Sequence, residues 1–201
     1  LLEVGSQIYA KGTDHRGKSI GLGLLAHCGS SDLQKVLSIF ESAASSPDWN
    51  LREISQMFFR RLIARNPKST HEYLERLAES REDYLRRFVA ETLRPVRENK
   101  WFYENPEYPL SILRKLFKEA FPDARTSVGN NLSDLAKPHP DLVYGLVKEL
   151  VDSGDKNSYW IAYRACRNLV KKDPIKVLNL LKIDEYKYKE RTYKRSGHKG
   201  S

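Results

Sequence analysis

Sulfur is scarce in this 201-residue chain, which has 2 cysteines and 1 methionine. Cys28 and Cys166 lie far apart and form no CxxC spacing. That argues against a disulfide framework and a thiolate zinc site, and makes a reducing cytoplasm the expected setting. The histidines (His15, His27, His71, His139 and His198) form no HxxxH or HExxH pattern, so no metal or cofactor is expected. No apolar run approaches the roughly 18 residues that cross a bilayer, so no membrane role is expected. A GxxxxGK[ST] phosphate loop and a GxSxG nucleophile elbow are both absent. GLGLL, from Gly21 to Leu25, lacks the spacing of a dinucleotide fingerprint and the strand before it. The opening LLEVGSQIY has neither an initiator Met nor the basic-then-apolar profile of a leader, and the closing GHKGS reads as vector-derived.

Acidic charge is also short. Lys and Arg total 35 against 26 Asp and Glu, a net charge of +9. Such a balance gathers anions, and nucleic acid is the usual partner. Acidic or ribosomal proteins would answer the same charge.

What the chain does have is a period. Leu1 to Lys18 (1–18) is Gly-rich and polar and reads as irregular. A short apolar helix follows from Ser19 to Cys28. Gly29 and Ser30 break it, and Ser31 caps a helix running to about Ala44. Three units then repeat, at Asp48–Ser80, Phe121–Gly154 and Asp155–Leu181. In each, an arginine-bearing helix ends at a basic turn (RNP, KPHP or KKDP), and a second amphipathic helix starts at Pro67, Pro140 or Pro174. Proline suits a first helical turn because its missing N–H is no loss there. Another unit opens at Ser80, with Asn99 to Tyr108 as an extra loop. No stretch shows sustained strand alternation. About five helix pairs at a period in the mid-thirties predict an all-α, right-handed superhelical solenoid of HEAT-like repeats over 19–181. Gly129 interrupts one helix and marks a close backbone approach. Residues 182–201 lose the period and read as a basic, tyrosine-bearing tail able to follow a phosphate backbone.

The charges are sharpest in SREDYLRRFVAETLRPVRENKWF, Ser80 to Phe102. Leu85, Phe88, Val89, Thr92 and Leu93 form an apolar helical stripe. Arg86, Arg87 and Arg94 lie off it around Glu91. Pro95 ends the helix, and Lys100, Trp101 and Phe102 follow. Cations around one acid, closed by aromatics, suit a groove for a polyanion with flat rings. A solvated helix face with an internal ion pair fits the same residues. If first helices line one surface, Arg52, Arg60, Arg61, Arg86, Arg87, Arg94, Arg125, Arg164 and Arg167 form a track, joined by Lys171 from a turn. The phosphates of a duplex, one charge per ~1.7 Å of axis, would match it.

LRRFVAETLRP (Leu85–Pro95), RTSVGNNLSDLAKPHPDLV (Arg125–Val143), WIAYRACRNLVKK (Trp160–Lys172) and DWNLREIS (Asp48–Ser55) resemble, in order and spacing, motifs of the HEAT-like-repeat DNA alkylation repair proteins of the AlkC/AlkD type. The resemblance spans roughly Asp48 to Leu181. It implies a DNA glycosylase that excises cationic N3- or N7-alkylated purines from double-stranded DNA, and a monomer is expected. Glu91, in VAETLRP, and Glu53, in LRE, would be the catalytic carboxylates, with Glu91 the first choice. Trp49 lies four residues before Glu53, as in the AlkD branch, and Arg87 matches the cleft arginine. DNA contacts would come from Trp49, Arg52, Arg86, Arg87, Arg94, Lys100, Trp101, Arg125, Asn130, Asn131, Trp160, Arg164, Arg167 and Lys171. Asn130 stands where the AlkD branch has a second tryptophan. A non-catalytic binder of damaged or branched DNA and a protein-interaction scaffold remain open as alternatives.

Overall fold

The computed structural model describes residues 1–28 and 32–195. The expected Gly29–Ser30 break and Ser31 cap, and the closing GHKGS, lie outside the described residues. Asp32 holds the N-cap of the following helix, its carboxylate accepting from the Lys35 amide at 3.2 Å.

The chain forms two compact units, Leu1–Leu116 and one from Phe117 onward. The first contains α1 (Leu2–Lys11), α2 (His15–Cys28), α3 (Leu33–Ala44), α4 (Trp49–Arg65), α5 (Pro67–Ala78), α6 (Asp83–Thr92) and α7 (Glu107–Leu113). Short 3-10 turns cover Arg97–Tyr103 and Arg114–Leu116. The second contains α8 (Pro122–Leu135), α9 (Pro140–Asp152), α10 (Lys156–Ala165), α11 (Pro174–Leu181) and a hairpin of β1 (Glu185–Tyr188) and β2 (Arg191–Lys194). Among the described residues no helix is long and apolar enough to cross a membrane.

Pro67, Pro140 and Pro174 each open a helix, as their missing N–H allows. Asp48 and Asp155 cap α4 and α10 through amides of the first turn. Alternate helices stack. In the first unit α2 lies on α4, and α4 on α6; in the second, α8 lies on α10, and α9 on α11. The repeat is written into the side-chain bonds. Arg87 reaches Glu53 34 residues back, Arg164 reaches Asn130 34 back, and Asn168 reaches Ser133 35 back. Among the second helices, Tyr73 Oη donates to the Leu37 carbonyl 36 back.

Phe40, Phe59, Leu62, Leu74 and Leu77 fill the first core, and Val128, Leu132, Val147, Ile161 and Leu178 the second. Phe59 sits between the Phe40 and Phe88 rings, edge to face at 5.4 and 5.1 Å. The predicted α6 stripe is buried throughout, from Leu85 to Leu93.

Three expectations need correction. The supposedly irregular segment 1–18 forms α1 and the first turn of α2. Its Gly5 serves packing: a Cβ there would stand 3.1 Å from the Leu24 Cβ and 3.3 Å from the Gly21 carbonyl, and a Cβ on Gly21 of α2 would stand 2.6 Å from the Tyr9 amide nitrogen. The extra loop from Asn99 is largely the 3-10 turn, fastened by Asn99 donating to the Thr92 carbonyl at 2.9 Å. The basic tail contains the β-hairpin, in which Tyr186 faces Tyr193 and Tyr188 faces Arg191.

Candidate nucleic-acid interface

In the first unit the two expected carboxylates stand on neighbouring helices, each beside arginine. Glu53, on α4, accepts from Arg87 of α6 and from Gln56 one turn along its own helix. Glu91, on α6, lies 3.5 Å from Arg94. Their exposures differ, the Glu53 side chain being 37% accessible and that of Glu91 11%. Between the helices Arg60 is buried and donates to the Glu91 carbonyl at 2.9 Å. Burial pulls the Arg60 guanidinium below its ordinary value, while Glu91 and Glu98 push it back up. Arginine stays charged against such a pull, so Arg60 acts as a fixed buried cation behind both acids.

Along the outer edge of α4, Trp49, Glu53, Met57 and Arg61 recur every fourth residue and share a face. Trp49 is 63% and Met57 56% exposed. A partly exposed carboxylate between two exposed apolar side chains, with the exposed Arg61 at the far end, makes an open surface with one acidic point.

Of the remaining candidates of this unit, Arg52, Arg86 and Trp101 are tied locally. Arg52 donates to the Ser46 and Pro47 carbonyls at 2.6 and 3.0 Å, and its guanidinium lies 4.0 Å from the centre of the Tyr84 ring. Arg86 is held by Asp83 and the Ser80 carbonyl. Lys100 is exposed on the 3-10 turn. Trp101, expected as a DNA contact, is half-buried in an aromatic cluster, 4.4 Å from Phe102 and 5.0 Å from Tyr108.

The second unit arranges its cations differently. Arg125 donates to the Asn157 side chain at 2.6 Å, and Arg164 to that of Asn130 at 3.0 Å. Both flank the Trp160 ring, at 4.8 and 5.8 Å. Arg167 and Lys171 approach Tyr188 of the hairpin at 5.5 and 5.8 Å. Among the described residues no carboxylate lies within ion-pair distance of Arg125, Arg167 or Lys171. Amides and rings fix these cations in place without cancelling their charge. Asn131, expected as a DNA contact, is corrected: it is buried and donates to the Ser127 carbonyl, so it supports α8 instead of facing solvent.

Sequence reasoning found the cations but not all their neighbours. It missed Arg60 as a shared backing charge, Met57 and Tyr188. The i, i+4 spacing from Trp49 to Met57 was the available signal for Met57.

No protein-family profile matches the chain. YhaZ of Bacillus subtilis (strain 168), itself uncharacterized, is 30% identical over 107 residues, covering 51% of this chain and 30% of its own length. Among solved structures, the Pseudomonas fluorescens alkylpurine DNA glycosylase AlkC, bound to DNA containing an abasic site analog, superposes with a TM-score of 0.71 at 22% identity. That match covers 90% of this chain and 51% of AlkC, so the chain spans about half the length of its structural neighbour and under a third of YhaZ. The fold is the all-α helical-repeat fold of AlkC.

Proposed function

We propose that this chain is an alkylpurine DNA glycosylase-like DNA repair module that binds duplex DNA and releases cationic N3- or N7-alkylated purines. The observation that carries the reading is Glu53, half exposed between Trp49 and Met57 on α4 with Arg87 behind it. The AlkC-like fold supports it.

The chemistry asks little of the protein. An alkylated purine already carries positive charge, so it leaves with the electron pair of the C1′–N bond as a neutral base. Water supplies the oxygen of the new C1′–O bond and loses its proton to solvent or to the carboxylate. The demanding moment is the positive charge on the sugar, and a fixed carboxylate beside C1′ stabilises it. Glu53 is the acid better placed to reach a sugar, because Glu91 is nearly buried. Glu91 then holds Arg94 and the Arg60 frame. This reverses the order of preference drawn from the motif. No metal or cofactor enters the scheme, and one copy of the chain suffices.

The test is release of methylated bases from alkylated duplex DNA. Glu53→Gln should lower the rate by roughly 100-fold or more, with duplex affinity kept. Release that survives Glu53→Gln but is lost in Glu91→Gln would return the role to the buried acid. A second reading has its own support, since both carboxylates are already paired with arginine, while in the second unit no carboxylate lies within ion-pair distance of Arg125, Arg167 or Lys171 among the described residues. In that case wild-type protein would bind DNA, with steep salt dependence, and release nothing. A protein scaffold would do neither.

A further inference from the structure

The β1–β2 hairpin adds to the second unit a feature that base excision does not require. We propose that the crevice between α10 and this hairpin binds an unpaired nucleotide of a DNA strand, with the base on Tyr188 and phosphates on Arg167, Lys171 and Lys189. The proposal rests on the DNA-binding part of the reading above and is independent of base release.

A cavity of about 370 Å³ opens there, lined among others by Trp160, Tyr163, Arg167, Tyr188 and Lys189. A second hollow of about 460 Å³ shares Tyr188 and Lys189 with it and adds Lys171, Arg191 and one carboxylate, Glu190. Both volumes fall within the range of small-ligand clefts, roughly 300 to 1,000 Å³. Three cations surround the Tyr188 ring, Arg167 at 5.5 Å and Lys171 and Lys189 each at 5.8 Å. The Arg167 Nε is buried without a hydrogen-bond partner. A ring ringed by cations in a concave wall suits a ligand that carries a flat face and a negative charge together. Nucleotides have that chemistry.

The hairpin is held ready. Tyr186 is fully buried, stacks on Tyr163 at 4.3 Å and donates to the Tyr163 carbonyl at 2.8 Å. The Tyr163 hydroxyl donates to the Lys187 carbonyl at 3.0 Å and accepts from its amide at 2.9 Å. Lys189 adopts a left-handed φ of 54°, which a lysine keeps only where its surroundings impose it. Rigid anchoring lowers the ordering cost of binding.

Two details favour a strand over other sources of the same chemistry. In a duplex the base faces are covered by their neighbours, so Tyr188 could stack only on an unpaired base. The cations also continue past Tyr188 into the second hollow, giving room for more than one phosphate. A free nucleotide would use one hollow alone.

The experiment is fluorescence anisotropy with the whole chain, using a labelled oligothymidylate, a matched duplex and deoxythymidine monophosphate as competitor. Tyr188→Ala should weaken strand binding roughly 5- to 100-fold, Tyr188→Phe should restore it, and duplex affinity should hold within about twofold. Lys189→Ala, an exposed change that leaves the Tyr163–Tyr186 anchor intact, should reduce the single-strand salt slope by about 0.7. Strands carrying 5-iodouracil should photo-crosslink to Tyr188. Equal loss of strand and duplex binding would reduce the crevice to general basic surface and overturn the proposal. So would unchanged strand binding in both Tyr188→Ala and Lys189→Ala. A monophosphate that competes as well as the strand would overturn the strand in favour of the free nucleotide. Duplex binding without strand binding would sink this proposal and leave the reading above standing.

Discussion

At the residue scale, two glycines in helices should respond in opposite directions to the same change. A Cβ on Gly129 would lie 2.6 Å from both Cβ and Cγ of Arg164, the base of that side chain and not its flexible end. The close approach marked by Gly129 in the sequence is therefore real, and it seats Arg164 beside Trp160. Gly129→Ala should cost about 1–3 kcal/mol by overpacking. A Cβ on Gly145 would meet nothing within 4 Å. Since α9 is regular there, Gly145→Ala should gain about 0.5–1 kcal/mol. Paired denaturant titrations check both signs, and equal effects would mean that helix propensity outweighs the contact. The buried Cys166 offers a chemical counterpart. Burial pushes its thiol up to about 12, so at pH 8 it should resist a thiol reagent until the protein unfolds.

Among elements, the caps make the repeat depend on pH. Asp155 accepts from the amides of Asn157 and Ser158 at 3.0 and 2.8 Å and from the Ser158 hydroxyl at 3.0 Å. The Ser158 amide above all holds its carboxyl below the ordinary value. A depressed folded value means stability present above the unfolded value of about 3.9 and lost as pH falls through the folded one. Asp155→Asn keeps a cap acceptor but cannot titrate. Its melting temperature should match wild type near neutral pH and fall less on acidification, as thermal scans from pH 7 to 2.5 would reveal. Such elements were legible because Pro, Asp and arginine recur at fixed offsets. The hairpin was not. Its two strands have four residues each, too few for a sustained period-two pattern, and its lysines read as a solvated end. α1 was missed for another reason: Gly5, Gly12 and Gly17 look like loop composition, yet Gly5 lets α1 touch α2. The arginines of the site could be read singly. Their partners could not, because stacking sets residues 34 apart side by side.

For the whole molecule, a net charge of +9 says only that anions are attracted. Which cations do the attracting depends on what each already faces. Arg87 is matched by Glu53, and Arg94 by Glu91. Arg167 faces the Tyr188 ring, and no carboxylate lies within ion-pair distance of it among the described residues. Removing either Arg87 or Arg167 lowers the net charge by the same single unit, so a picture based on total charge predicts identical effects. Local pairing predicts different ones. Arg167→Ala should lower the slope of log affinity against log salt for duplex DNA by about one, if that guanidinium meets a phosphate. Arg87→Ala should leave the slope nearly unchanged while shifting thermal stability by under about 1 kcal/mol, since the lost pair is partly exposed. Salt titrations of both variants on one duplex separate the two pictures. Equal losses of slope would make total charge the controlling quantity. An unequal result would place the phosphate-binding function on cations that the fold orients through neutral groups.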